Sequence, residues 1–230
     1  MIVIIGGKAG SKIVYDILKE RYEVKKPGFM GKEDIKFMNN YLSPDIQKRH
    51  NFKIAGSYLE QENIELLKEK NTDYFVATGD NYQRDIITDE LINLTGKKPI
   101  NAIHRTAMIS EDVTIGTGNL INAGVIINND AEICDGTIIN SGAILEHDTL
   151  LKDYCQVSPG CVLAGYVTVG KYAFVGAGTS IIPHIHIGES AVVAAGSAVT
   201  RSVKSNIMVA GCPAEFKKEV KNADNTRENQ

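Results

Sequence analysis

The chain has 230 residues, of which 43% are hydrophobic and 23% charged, and a formal net charge of −3. These are the proportions of an ordinary folded protein. The charge gives no electrostatic ground for nucleic-acid binding, so any anionic ligand must be held locally.

No apolar run reaches the roughly 18 to 20 residues of a membrane span, and the opening MIVIIGGKAG has no basic leader or cleavage site, which points to a cytoplasmic protein. MIVIIGGKAGSKIVYDILKERY reads as a buried strand, a glycine-rich turn and a helix, an arrangement that presents backbone N–H groups to a phosphate. YEVKK is expected as the second strand. GKEDIKFMNNYL and SPDIQKRHNF look helical, the latter with Ser43 as N-cap and Pro44 at the first helical position. EQENIELLKEK reads as a further amphipathic helix. DYFVATGDNYQRDII supplies a second strand and turn, with residues 74–77 as strand, 78–81 as turn, and a helix carrying Arg84 in its first turns. Candidate contacts to a nucleotide diphosphate are Lys8, Ala9 and Gly10 in the first turn and Thr78, Gly79, Asp80 and Asn81 in the second. Arg84 is either a further contact or a surface residue. The expectation over residues 1–100 is a small parallel α/β domain.

From Ile103 to Val199 every sixth residue is Ile, Leu or Val, although these three types fill only 57 of the 230 positions. The position four residues after each is mostly small, as at Ala107, Ala131, Ala143, Thr149, Cys155 and Cys161. A period of six fits neither a helix nor a hairpin ladder. It fits short strands joined by tight turns, with one large and one small residue per repeat pointing inward and three repeats to each coil of a triangular solenoid. The seventeen repeats predict nearly six coils with no insertion. The register breaks after Val203, and the polar residues 217–230 are expected to be a mobile tail.

This repeat resembles the hexapeptide-repeat left-handed parallel β-helix, here spanning residues 101–216 with its exit. A Rossmann-like α/β domain followed directly by such a helix resembles the nucleotide-sugar acetyltransferases of the PglD/NeuD type. GGKAGSKIV stands for the first glycine-rich turn of that family, ATGDNYQR for the second, LEHD for the catalytic segment and VAGCPA for the exit. Lys8 and Ala9 replace smaller or glycine residues of the first turn, and residues 25–53 match nothing in the pattern. The resemblance implies acetyl-CoA-dependent N-acetylation of a nucleotide-linked amino sugar, a UDP-4-amino sugar, with the nucleotide held by the amino-terminal domain. It also implies a homotrimer with acetyl-CoA in the groove between adjacent β-helices, near Gly165, Ala177 and Ala195.

In phase, Leu145 points inward, so Glu146, His147 and Asp148 lie at the following turn, facing outward. Gly165 stands one coil above His147 and Pro183 another coil on. Acyl transfer to an amine needs a base for the amine proton and a donor for the oxyanion. His147 suits the base and Asp148 its orienter, while a glycine at 165 leaves room beside the imidazole and offers a backbone N–H. The resemblance places the catalytic histidine and acid at His147 and Asp148, the substrate-contacting asparagine at Asn140 and the thioester-facing glycine at Gly165. Where some members carry a second histidine, this chain has Gln156.

Other readings compete. The same base could serve O-acetylation of a sialic-acid-like sugar, or the repeat could belong to a binding protein without chemistry. His104, His184 and His186 raise a metal-dependent hydratase, but His184 and His186 alternate along one strand and only one is expected to face out, so no metal is expected. Asn122 and Asn128 read as turn residues. The four cysteines are expected as free thiols, with Cys155 and Cys161 in the core rather than carrying an acyl group, which favours direct attack in a ternary complex.

Overall fold

The computed structural model describes residues 1–6, 9–23, 35–38, 53–54 and 57–220. Two compact units divide the chain, Met1–Ala102 and Ile103–Gln230.

In the first unit the elements run β1 (Ile2–Ile5), α1 (Ala9–Glu23), β2 (Ile35–Met38), β3 (Lys53–Ile54), α2 (Gln61–Lys68), β4 (Asp73–Val76) and α3 (Asn81–Thr95). The strands form one parallel sheet in the order β3-β2-β1-β4. All four residues of β1 are fully buried, which is why its sequence, IVII, is apolar without alternation. Helix α3 has both ends closed: the Gln83 N–H donates to the Asp80 carboxylate at 2.9 Å, and Gly96 at φ 70° accommodates the left-handed C-terminal turn.

Two expectations are corrected here. Residues 35–38, expected within a helix, form β2 and pair in register with β1. The apolar residues of IKFM alternate with Lys36, and a run that short has no helical period to distinguish it from a strand. Tyr22 and Glu23 of YEVKK end α1 instead of opening a strand, because the straight-chain residues before them, LKER, propagate a helix well. The helix expected over 43–52 and the rest of YEVKK lie outside the described residues.

The second unit is a parallel β-solenoid of about six coils. Its strands, β5 (Ala102–Ile103) to β21 (Ala198–Val199), are two residues long and recur every six. From β5 to β18 each pairs in parallel with the strand eighteen residues on, so Leu145 lies opposite Leu163 and Leu163 opposite Ile181. The result is three sheets of five, eight and six strands. The repeated aliphatics from Ile121 to Val199 form one buried core with Cys155, Cys161 and the small residues beside them. From Gly118 to Gly196 the second residue of every turn has a left-handed φ between 55° and 71°. On the edge joining the eight-stranded to the six-stranded sheet, that residue is always glycine. On the edge joining the six-stranded to the five-stranded sheet it is Asp130, Asp148, Tyr166 and His184.

The solenoid ends in β22 (Ile207–Ala210), parallel to β20 (Val192–Val193), and β23 (Glu215–Glu219), antiparallel to β22. Residues 217–219 are therefore strand and not tail: a backbone ladder on an exposed edge accepts Lys and Glu side chains, which composition alone reads as unstructured. Residues 221–230 of the expected tail lie outside the described residues. Among the described residues, no helix is long and apolar enough to cross a membrane.

Candidate active site

His147 and Asp148 form the turn between β12 (Ile144–Leu145) and β13 (Leu150–Leu151). Leu145 and Leu151 are fully buried on either side and fix both ends of the turn in the core. The Asp148 N–H donates to the Asn129 carbonyl at 3.1 Å, the Tyr166 N–H to the His147 carbonyl at 3.1 Å, and the Thr149 hydroxyl to the Glu146 carbonyl at 2.6 Å. Asp148 sits at φ 57°, which aspartate tolerates better than most residues.

The His147 Nδ1 lies 2.8 Å from Asp148 Oδ2, and the two side chains are 53% and 36% exposed. An ionised carboxylate only accepts, so Nδ1 carries the proton and the Nε2 lone pair is left for chemistry. Gly165 is buried one coil above, and a Cβ placed on it would stand 2.6 Å from both Cε1 and Nε2 of His147. Only glycine leaves space for the imidazole there. The Gly165 N–H is not engaged in the backbone ladder. Tyr166 meets the imidazole edge-on at 5.2 Å between ring centroids, and the His184 ring stacks on Tyr166 at 4.8 Å with 8° between planes.

The other solenoid candidates stand elsewhere. Asn140, Ala177 and Ala195 belong to the glycine edge, between the eight-stranded and six-stranded sheets, and a single chain does not bring them together with His147 and Gly165. Ala177 and Ala195 are exposed, and Cβ atoms on Gly178 and Gly196 beside them would meet nothing within 4 Å. Asn122 is buried and donates to Asn140 Oδ1 at 3.0 Å, and Asn128 donates to Glu146 Oε2 at 2.8 Å. These asparagines form side-chain ladders one coil apart, a spacing of eighteen that the repeat made legible.

In the first unit the two glycine-rich turns follow neighbouring strands. Cβ atoms on Gly6 and Gly10 would stand 3.1 and 3.2 Å from the Ala77 carbonyl oxygen, so both glycines permit the close approach of the turn and α1 to the end of β4. Ala9 opens α1, and Lys8 lies outside the described residues. Gly79 and Asp80 are exposed, Thr78 and Asn81 half-buried. Arg84 is not a surface residue: it is 1% exposed, and its guanidinium donates to the Thr78 carbonyl at 2.9 Å and to Asn81 Oδ1 at 2.8 Å. It braces the second turn from inside, a role that becomes visible only once the turn is folded over it.

Cys155 and Cys161 are fully buried, and burial pushes the Cys161 thiol above its ordinary value, which disfavours the thiolate that a nucleophile needs. His184 and His186 are both exposed, against the expectation of one, because they do not share a strand: His184 stands in the turn at φ 62° and only His186 belongs to a strand, His186–Ile187. Among the described residues, no group of three or more His, Cys, Asp or Glu could hold a metal ion.

No family model and no curated protein matches the chain. Solved structures do. PerB from Caulobacter crescentus, in complex with CoA and GDP-perosamine, is 31% identical over 94% of this chain and 96% of its own, with a TM-score of 0.79. The acetyltransferase domain of PglB from Neisseria gonorrhoeae, in complex with acetyl coenzyme A, is 25% identical over 94% and 98%, with a TM-score of 0.81. WeeI from Acinetobacter baumannii shares the fold at 21% identity and a TM-score of 0.81, over 94% and 99%. With identity of 31% along nearly the whole of both chains, and a solenoid of six-residue repeats beneath it, the chain belongs to the sugar acetyltransferases of the left-handed β-helix, hexapeptide-repeat superfamily.

Proposed function

We propose that the protein transfers the acetyl group of acetyl-CoA to the amino group of a nucleotide-linked amino sugar, by direct attack in a ternary complex. The observation that carries this reading is the His147–Asp148 pair on an exposed turn, with Nδ1 held by the carboxylate and Nε2 beside a glycine that leaves it room. His147 Nε2 takes a proton from the attacking amine as the new C–N bond forms. The Gly165 N–H donates to the oxyanion of the tetrahedral intermediate. When the C–S bond breaks, the proton held by His147 passes to the departing sulfur, giving the amide and free CoA. Asp148 keeps the ring in the tautomer that accepts at Nε2 and stabilises imidazolium while it exists.

In this reading the amino-terminal unit is a Rossmann-like holder of the nucleotide, over residues 1–100. The sheet order β3-β2-β1-β4 supports it, because chain direction across the sheet reverses between β1 and β4, the place where open α/β sheets take ligands. Ala9 and Gly10, at the start of α1, and Thr78, Gly79 and Asn81, at the start of α3, follow those two strands and are the proposed nucleotide contacts together with Lys8. Asn140 contacts the sugar, and Ala177 and Ala195 line the path of acetyl-CoA along the glycine edge, whose lack of side chains suits a long ligand lying against backbone.

The histidine edge and the glycine edge flank the same six-stranded sheet, whose outer face carries Met108, Ile126, Ile144 and Val162. A homotrimer packed through that face sets one subunit's histidine edge against the next subunit's glycine edge and completes the site. The setting is cytoplasmic, where acetyl-CoA and nucleotide sugars are made.

The experiment is thiol release from acetyl-CoA with a UDP-4-amino sugar, GDP-perosamine, CMP-sialic acid, or no acceptor. Acceptor-dependent release with an amino sugar is expected, and release with CMP-sialic acid alone would make the protein an O-acetyltransferase. His147→Ala is expected to lower kcat by about 10² to 10⁴, the usual worth of a positioned base. Parental turnover in that variant would remove His147 from the mechanism.

A further inference from the structure

The left-handed turn position separates the two edges of the six-stranded sheet. On the glycine edge it is filled at Gly124, Gly142, Gly160, Gly178 and Gly196 by the residue that adopts this conformation freely. On the histidine edge Tyr166 and His184 hold the same conformation, at φ 62° each, although an L side chain rarely adopts it. Strain of this kind persists where the side chain is needed. Core packing does not explain Tyr166, because it is 50% exposed. Tyr154, a tyrosine in the same conformation on the third edge, is only 6% exposed and covers Gly136, so there the ring itself accounts for the backbone.

The geometry points to Tyr166 as a positioning residue for His147: its ring, locked between the imidazoles of His147 and His184, fixes the plane of the proposed base. This rests on the reading of His147 as base. Asp148 restrains the imidazole at Nδ1, but one hydrogen bond leaves the ring free to swing about it. Gly165 borders the Cε1 and Nε2 side. The edge-on contact of Tyr166, at 87° between ring planes and 5.2 Å between centroids, supplies a third restraint. The His184 ring lies flat against Tyr166 and braces it in turn. The ring and not the hydroxyl does this, since both contacts are ring to ring.

Four variants test the assignment under saturating acetyl-CoA and acceptor. Tyr166→Gly removes the ring while relieving the backbone, so its thermal midpoint is expected to stay close to the parent's. Its kcat is expected to fall about ten-fold or more, as for a base displaced by a fraction of an ångström, with KM for both substrates within about two-fold. Tyr166→Phe is expected to keep kcat within about two-fold of the parent. Tyr172→Gly, which relieves the same backbone conformation on the third edge, is expected to leave kcat unchanged. Parental kcat in Tyr166→Gly, or an equal loss in Tyr166→Phe, would overturn the proposal while a dead His147→Ala upheld the base. Parental turnover in His147→Ala would instead sink the base assignment, and this inference with it.

Discussion

A single methyl group at Gly165 tests the site without removing a functional atom. Gly165→Ala would place carbon 2.6 Å from Cε1 and Nε2 of His147, and that ring, being half-exposed, can move out of the way. Gly165 has no left-handed φ, so alanine brings no backbone strain. The fold is therefore expected to survive with its thermal midpoint little changed, while kcat falls by about 10²-fold as the base leaves its place. Turnover and thermal unfolding of the same preparation check this, and an unchanged kcat would show that the imidazole does not need the position it occupies. A register of six, once counted, assigns every residue to core or turn and so places His147, Asp148 and Gly165 on one outward turn and the coil above it, while the roles proposed for them come from the family resemblance of LEHD. Counting on by eighteen from Asp148 reaches Tyr166 and His184, but backbone conformation is what sets those two apart, and a sequence does not display φ. Arg84 was illegible for another reason: an arginine early in a helix looks exposed until the turn before it folds back over the guanidinium.

Elements differ in how much of their cause lies in their own residues. The solenoid strands repeat one requirement seventeen times, so their pattern overwhelms local ambiguity. The second strand of the α/β sheet, Ile35–Met38, exists because β1 offers an edge to pair with, and nothing inside four residues announces that. The β23 strand is likewise made by its ladder to β22 and not by its polar side chains. The same α/β unit carries two tyrosines whose hydroxyls are tied inward, Tyr58 donating to Glu90 at 2.7 Å and Tyr74 to the Lys97 carbonyl at 2.7 Å. Burial first, and for Tyr58 the Glu90 hydrogen bond and charge as well, raise both phenols above their usual 10.0. Because the folded values are raised, the unfolded chain gives up these protons first as pH rises. The contribution to stability is whole below about pH 10 and is lost above it. In an alkaline titration, tyrosinate absorbance from these two is expected only together with loss of helical ellipticity. Full tyrosinate absorbance while the ellipticity is still native would contradict it.

At the scale of the molecule, the distribution of proposed site residues over two edges asks for more than one copy. His147, Gly165 and Tyr166 stand on one border of the six-stranded sheet, Asn140, Ala177 and Ala195 on the other, and the outer face of the sheet's first four strands, with Met108, Ile126, Ile144 and Val162, is apolar where polar residues would be expected. Met108 is 58% exposed and Val162 38%. An apolar strip of this kind suits the interface of the proposed homotrimer. An interface that joins one edge of each copy to the other edge of the next is heterologous, and it closes into a ring when the rotation allows. Val162→Glu places a charge in that strip on a side chain that points away from the core, so the solenoid itself is expected to fold, as circular dichroism would show. Light scattering after gel filtration is expected to find the parent as a trimer and the variant as a monomer, with acetyl transfer reduced by at least about 10²-fold because each site has lost the half supplied by its neighbour. A monomeric variant with parental turnover would mean that one chain holds a complete site, and the assignment of Asn140, Ala177 and Ala195 to the ligands of His147 would fall with the trimer.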